Sequence, residues 1–531
     1  MKISLYGLPC AGKSTLLETA SGFIKTISGY KLLQNIQGDI FEKRRTLLNQ
    51  LSQETEFLID GHYQFITEKG KETVFTFEDK VFDVFMYLYQ KPELIYERMK
   101  ESEKNQKYIP QNISTIIEWQ LEEINSLREI CHRADKDFYV IDDYETNYKN
   151  FTPFLKDVLN GYSNVNFART IFESINIVSD SINIFDGDKT LIPYDSSKYL
   201  LNFTTNIFDN NIYTGYQFWL QDKYIKPFLQ SADLQNIKKI EYTSLKEQCI
   251  ENKSIILSSG IPEIWEDNLG KELGVKTFAG KYISADTKYF VVKFLKKKYN
   301  VTAYGDSKND LYMLKEADKG FLIINEHLSR SLSYSEIENL NIINLQNNLH
   351  ILDQDKSINS DEIDEINSLI KITKSDSGII RNRLAEAHFQ LGKKLGRYLQ
   401  KYKPKETTIL SIERSGRFLA DGLYMSFNAK FESYNSSHDM PKIKTDNIIL
   451  VDGVINNGKT IIDIIKKIEH NSKVKRIIIL TNVINKEAVS LFKAYKLIAV
   501  RISENKYTGR KVKVQSGNIG PDTSDRLFNQ L

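Results

Sequence analysis

The chain has 531 residues, 41% of them hydrophobic, with 72 lysines and arginines against 69 aspartates and glutamates, a net charge of +3. That length accommodates about three or four domains of roughly 150 residues, and the balanced charge gives no general reason to expect a nucleic-acid partner, though it leaves room for a local basic groove. Three cysteines, Cys10, Cys131 and Cys249, form no CxxC and leave an odd count, so a disulfide framework is not expected. No apolar run reaches the ~18 residues needed to cross a bilayer, and the chain opens on a phosphate-type loop rather than a leader. A cytoplasmic protein without membrane contact is expected.

In chain order, MKISLYG reads as a short apolar strand, followed by GLPCAGKST (Gly7–Thr15) and a helix over Ser14–Ser21. Glu56–Ile59 and Val81–Leu88 read as strands, residues 92–133 as helices, and Phe138–Ile141 as a last strand. Strands alternating with helices imply a parallel sheet with crossovers. Ile182–Phe185 then runs into Asp186-Gly-Asp188-Lys-Thr190, Ile255–Leu257 into Ser258-Ser-Gly, and Val301–Tyr304 into Gly305-Asp306-Ser-Lys-Asn-Asp310. The aromatic-rich stretch between Asp188 and Ser258 has the length of a helical cap. Residues 350–378 are polar and acidic and read as a linker or an exposed helix. A helix over Ile379–Tyr402 precedes strands at Thr408–Ile412, Ile448–Val451 and Ile477–Leu480. The fold class expected is α/β: three consecutive Rossmann-like parallel-sheet domains, the middle one with an inserted cap.

The first loop, Gly7-x4-Gly12-Lys13-Ser14, fits the Walker A pattern between a strand and a helix. Glycines let backbone amides curl around a phosphate, Lys13 supplies a cation, and Ser14 can ligate Mg²⁺. With LIDGHYQF (Leu58–Phe65), YLYQKPELIYERM (Tyr87–Met99) and HRADKDFYVID (His132–Asp142), residues 1–163 resemble a P-loop nucleotide kinase of the adenylate-kinase-like group. The resemblance implies ATP binding at Gly7, Gly12, Lys13, Ser14 and Thr15. It implies acceptor or lid roles for Asp60, His62 and Arg98. Lys43-Arg44-Arg45 reads equally as an acceptor-phosphate site or a solvated helix face.

Two aspartates two residues apart at a strand end face one pocket, so one can attack phosphorus while the other moves protons. With Ser258 and the GDSKND segment, residues 172–350 resemble the haloacid dehalogenase superfamily, and the phosphoserine-phosphatase-like branch in particular, with a cap at about 192–253. The resemblance implies Asp186 as nucleophile, Asp188 as general acid/base, and Thr190, Ser258 and Lys288 as phosphate-binding groups. Asp186, Asp188, Asp306 and Asp310 are the implied Mg²⁺ site. Lys293 competes with Lys288 for the lysine role.

The third loop, IILVDGVINNGKT (Ile448–Thr460), is a buried strand ending in an acid and opening a helix. With Glu413-Arg-Ser-Gly-Arg417 and the tail IGPDTSDRLFNQL, residues 377–531 resemble a type I phosphoribosyltransferase of the uracil type, after a linker at 351–376. Many type I enzymes carry two adjacent acids where this chain has Asp452-Gly453. The resemblance implies phosphoribosyl diphosphate binding by Arg414, Ser415, Gly416, Asp452, Asn456, Asn457, Gly458, Lys459 and Thr460, with catalysis at Asp452. It implies base binding at Gly520 and Asp522, while Pro521 and Ser524 stand where that tail carries glycines.

Together these readings predict a fused kinase, phosphatase and phosphoribosyltransferase of nucleotide salvage, using Mg²⁺ with ATP and phosphoribosyl diphosphate as substrates. A homo-oligomer acting on small-molecule nucleotides and bases is expected. Two alternatives stand beside it: a nucleic-acid end-repair kinase–phosphatase with an accessory third domain, and a nucleotide-sensing stress or defence protein.

Overall fold

The computed structural model describes residues 1–67, 70–102, 112–229, 237, 239–325, 327–346, 348–471, 474–505, 508–517 and 519–531. Parts of the expected helical stretch 92–133 and of the cap at 192–253 lie outside the described residues. The chain divides into two compact units, Met1–Gly320 and Phe321–Leu531.

The first unit holds two parallel sheets. In chain order, the first is built from β1 (Lys2–Tyr6), β2 (Thr26–Ser28) and β3 (Phe57–Asp60). After the hairpin β4 (Gln64–Thr67) and β5 (Gly70–Thr73) come β6 (Val84–Leu88) and β7 (Asp137–Ile141). The sheet order is β2-β3-β1-β6-β7. β1 therefore lies where the order reverses, the crevice at which open α/β sheets bind ligands. Its residues are almost wholly buried, the apolar signature of a strand covered on both faces.

The second sheet uses β8 (Ser181–Phe185), β9 (Ser254–Ser258), β10 (Lys276–Ala279) and β11 (Asn300–Gly305), ordered β10-β9-β8-β11 within this unit. β8 again occupies the reversal point, and the Asp186–Thr190 loop leaves its carboxyl end. The segment between β8 and β9 carries helices Ser196–Leu201, Gly215–Leu229 and Leu245–Glu251.

The Gly215–Leu229 helix packs against β7, the edge strand of the first sheet. The Val140 amide donates to Thr214 Oγ1 at 3.0 Å, and Gln217 Nε2 donates to the Val140 carbonyl at 2.8 Å and to Asp142 Oδ1 at 2.7 Å. One side-chain pair thus satisfies both exposed backbone groups of an edge residue, which closes that edge to further pairing. Tyr216, Trp219 and Leu220 join the same apolar core as Leu5, Tyr139, Phe151 and Phe154. A second bond between the sheets is ionic. Asp286, on the Ala285–Leu295 helix, accepts from Arg128 Nη2 at 3.2 Å, lies 2.9 Å from Arg128 Nε as an ion pair, and pairs with His132 Nε2 at 2.8 Å, and all three are buried. Asp286 is held below the usual carboxylate range because Arg128 and His132 outweigh the upward pull of burial.

In the second unit, β12 (Lys319–Ile324), whose first two residues belong to the first unit, pairs in parallel with β13 (Asn341–Asn344). Then follow β14 (Leu349–Ile351), β15 (Thr407–Ile412), β16 (Lys430–Tyr434), β17 (Asn447–Ile455), β18 (Arg476–Asn485) and β19 (Lys496–Ser503). They form a parallel sheet ordered β14-β19-β18-β17-β15-β16. The order reverses between β15 and β17, so the Glu413–Arg417 and Asp452–Thr460 loops emerge side by side. β20 (Thr508–Arg510) pairs with β21 (Ile519–Pro521). Within residues 351–376, where a linker or exposed helix was expected, lies helix Ser360–Thr373, whose Ile366 and Ile370 are buried in the core of this sheet.

His388, on the Arg381–Leu395 helix, is fully buried and neither ring nitrogen has a hydrogen-bond partner among the described residues. Burial, reinforced by Arg526 and Arg501, pushes its imidazole down to about 3, against 6.5 for the free side chain. Between those values the unfolded chain holds one more proton than the folded chain, so stability falls as the pH drops. Between pH 7 and 5 the loss from this residue is about 2 kcal/mol. Chemical denaturation of His388→Leu at the two pH values is expected to show that much less acid sensitivity than the parent chain.

Candidate active sites

At the end of β1, the loop is shaped by Gly7 at φ 151°, Cys10 at φ 63° and Gly12 at φ 105°. A Cβ at Gly7 would lie 3.0 Å from the Leu88 carbonyl oxygen. Lys13 is buried and donates to the Gly7 carbonyl at 2.6 Å and the Leu8 carbonyl at 2.9 Å, while Ser14 and Thr15 are exposed. Burial pulls the Lys13 ammonium down to about 8, against the opposing charges of Asp60 and Glu123. Arg98 reaches this loop, its Nη1 donating to the Cys10 carbonyl at 3.2 Å. Asp60 accepts from the Gly29 amide at 2.8 Å, and the His62 ring packs against Phe65 at 4.8 Å.

The basic triplet resolves differently at each residue. Arg44 is buried and bidentate to Asp79 at 2.6 and 3.1 Å, with its other donor on the His62 carbonyl, so it is a structural ion pair rather than a phosphate ligand. Glu123, on the Ile113–Ala134 helix, was not anticipated. It is fully buried, accepts from the Gln64 amide and Trp119 Nε1, and is raised to about 7 by burial, with Tyr87 and Lys13 opposing. Nothing in the run LEEINS separates it from a solvated helix face.

The second site is organised by a buried cation. Lys288 Nζ donates to Asp186 Oδ1 at 2.5 Å and to Asp310 Oδ1 at 2.6 Å. Burial opposes its charge, but the two carboxylates outweigh burial and hold the ammonium above the usual lysine value. Lys293 is elsewhere, bonded to the His132 carbonyl and to Asp135, so it is Lys288 that lies beside Asp186 and Asp310. Asp310 is fixed twice over, since its Oδ2 accepts from the Asp306 and Ser307 amides and the Ser307 hydroxyl in a capping box.

Asp186 is raised to about 7 by burial first and then by Asp310, with Lys288 opposing. Single oxygens of Asp186, Asp306 and Asp310 lie within 4.8 Å of one another. Three hard carboxylates, with Asp306 also raised by burial and by its acidic neighbours, suit a divalent cation such as Mg²⁺. The Asp188 carboxylate lies outside that set. Its Oδ1 accepts from Trp265 Nε1 and its Oδ2 meets the Ser196 hydroxyl, both at 3.1 Å. It is raised to about 8 by burial, then by Asp195 and Asp186. Ser258 is buried and accepts from the Gly260 amide at 3.1 Å, and Thr190 is buried with its hydroxyl unpartnered. Lys189, missed in the sequence, faces Asp306 electrostatically at φ 59°. The amide of buried Asn309 is unpartnered at both ends.

At the third site, Ser415 donates to Asp452 Oδ1, which brings the two sheet-end loops into direct contact. Asp452 is raised to about 6 by burial, with Ser415 and the Val454 and Gly453 amides opposing. A Cβ on Gly453 would lie 2.5 Å from the Ser415 carbonyl oxygen, and one on Gly416 2.2 Å from the Val451 carbonyl oxygen. There is no room for a second acid at 453, which accounts physically for the single Asp452. Gly458 adopts φ 74° over the Phe492 ring, while Asn456, Asn457, Lys459 and Thr460 are exposed around it. A cavity of about 110 Å³ adjoins this loop at the ends of β17, β18 and β19, lined by Asn456, Asn485, Arg501 and Lys374 among others.

The tail residues are tied into the fold by local hydrogen bonds. Asp522 caps the Thr523–Phe528 helix through the Asp525 amide, and Gly520 pairs with Gly509. Asp525 binds Arg414 at 3.2 Å, and buried Arg526 donates to the Thr373 and Ile379 carbonyls. Arg414 is therefore tied to the tail and Arg526 to residues 373–379.

Residues 385–529 match the family model for uracil phosphoribosyltransferase, which supports a phosphoribosyltransferase domain in this part of the chain. No curated protein matches the chain. Among solved structures, a HAD family hydrolase from Salmonella enterica serovar Typhi aligns at 18% identity over 32% of this chain and 68% of its own, with a TM-score of 0.25. Adenine phosphoribosyltransferase from Thermoanaerobacter pseudethanolicus aligns at 15% identity over 22% of this chain and 82% of its own, TM-score 0.19. The Trypanosoma brucei adenine phosphoribosyltransferase aligns at 13% identity over 25% and 69%, TM-score 0.20.

The Gly453–Ser415 contact makes a direct prediction. Gly453→Ala forces two backbone segments apart, at a cost of about 1–3 kcal/mol. Denaturation should register that loss, and binding of phosphoribosyl diphosphate, measured by calorimetry, should fall with it.

Proposed function

We propose that the chain is a multifunctional enzyme of nucleotide metabolism, joining a Mg²⁺-dependent phosphomonoesterase, a phosphoribosyltransferase acting on a uracil-like base, and an ATP-dependent nucleotide kinase. The observation that carries this reading is the buried Lys288 holding Asp186 and Asp310 together at the end of β8, with Asp306 beside them. A structural ion pair needs one carboxylate. Here three converge where a phosphoryl group can be approached from a parallel-sheet crevice.

In the phosphatase step, an Asp186 oxygen attacks the phosphorus of a phosphomonoester and the bond to the leaving oxygen breaks. The leaving oxygen takes the proton of Asp188. Water then attacks the aspartyl-phosphate phosphorus, its proton passes to the Asp188 carboxylate, and Asp186 is released with inorganic phosphate. Lys288, Ser258 and Thr190 bind the phosphoryl oxygens. Mg²⁺ held by Asp186, Asp306 and Asp310 would supply charge neutralisation for the incoming phosphate.

In the transferase site, Asp452 faces the ribose hydroxyls and the amides of the Asn456–Lys459 loop receive the 5-phosphate. The family match over residues 385–529 supports this part. For the kinase, the support is the P-loop with Lys13 buried in it and Arg98 at its rim. A small-molecule phosphate suits the phosphatase better than a polymer end, because the Gly215–Leu229 helix of the cap is bound into the first sheet.

Two assays on the purified chain test the proposal. Asp186→Asn is expected to reduce Mg²⁺-dependent hydrolysis of p-nitrophenyl phosphate to background while leaving pyrophosphate release from phosphoribosyl diphosphate and uracil intact. Asp452→Asn is expected to do the reverse. Loss of both activities in either variant, or neither activity in the parent, contradicts it.

A further inference from the structure

Trp265 is fully buried and lies against the phosphatase loops at two points. A Cβ on Gly187 would come 2.6 Å from its ring, and one on Gly260 would come 2.7 Å from it. The indole is thus wedged between the Asp186–Asp188 loop and the Ser258–Gly260 loop and cannot swing away. It sits on the first turn of a π-helical segment, Trp265–Leu269, a local widening that often marks functional sites. From there Nε1 reaches Asp188 Oδ1 at 3.1 Å.

The two contacts of Asp188 differ in kind. An indole N–H can only donate, so the oxygen it meets must act as an acceptor and cannot carry a proton aimed at it. The hydroxyl of buried Ser196 donates to Oδ2 at 3.1 Å and, unlike the indole, can rotate to other partners. We infer that Trp265 is a positioning residue that holds the Asp188 carboxyl group in one orientation, with Oδ1 fixed on the indole and Oδ2 on Ser196. This inference rests on the phosphatase reading and adds to it a residue that no catalytic motif contains. Asp188 then meets the leaving oxygen in one fixed orientation. The same ring explains two glycines, since any side chain at 187 or 260 would displace it.

The test separates proton donation from structure through the leaving group. A poor leaving group such as an alkyl alcohol needs the proton in the transition state, whereas p-nitrophenolate hardly does. Trp265→Phe removes the N–H while keeping a ring. Replacing Trp265 with benzothienylalanine keeps the bicyclic shape without a donor, and carries the test if the Phe variant does not fold. Either change should lower kcat/KM for an alkyl phosphate about tenfold and that for p-nitrophenyl phosphate less than twofold. A parallel loss on both substrates, or no change on either, overturns the role of Trp265. A parent chain that hydrolyses neither substrate instead overturns the phosphatase reading, and this inference with it.

Discussion

A single buried ammonium group holds the middle of this molecule together. Lys288 bridges Asp186, at the end of β8, and Asp310, on the helix that follows β11. Removing such a cation would leave two carboxylates facing each other away from water, a far larger cost than the net worth of the pair. The helix that carries Lys288 is itself anchored two residues earlier, where Asp286 is clamped by Arg128 and His132 of the first sheet's long helix. That long helix also carries Glu123, which faces Lys13 electrostatically. One helix therefore touches both the surroundings of Lys13 and the support of Lys288. The two proposed sites of the first unit share a scaffold.

The segment between β8 and β9 continues that economy. Its Gly215–Leu229 helix closes the open edge of β7 with one threonine and one glutamine and contributes aromatics to the first sheet's core. An edge strand otherwise invites pairing with another chain. A helix held in this way is an integral part of the first unit.

Much of this was legible in the sequence where function depends on short loops at strand ends. The Walker loop, the DGDKT and GDSKND pair and the INNGKT loop each couple a local backbone shape to a few side chains, and each lies at the reversal point of a parallel sheet. What could not be read depends on partners far apart in the chain. Arg44 read equally as a ligand for acceptor phosphate or a solvated cation, and Asp79, 35 residues away, claims it. Glu123, Asp286 and Trp265 have no local signature, because their roles come from burial and from neighbours on other elements. Gly453 read as a missing acid, whereas the structure makes it a backbone contact with the Ser415 carbonyl oxygen. Short strands such as β2, β10 and β14 have too few residues to display a period. The acidic run at 350–378 read as a linker or an exposed helix, and its packing was not legible because the two buried isoleucines of Ser360–Thr373 are only a small part of its composition.

The central claim is that Asp186 forms a covalent bond to phosphorus. Quenching a turnover mixture of the full chain, Mg²⁺ and p-nitrophenyl phosphate with borohydride reduces any aspartyl phosphate to homoserine, which peptide mass spectrometry locates. The account predicts homoserine at position 186 alone, dependent on substrate and absent in Asp186→Asn. Steady hydrolysis with no reduced residue, or with homoserine at another aspartate, would contradict it.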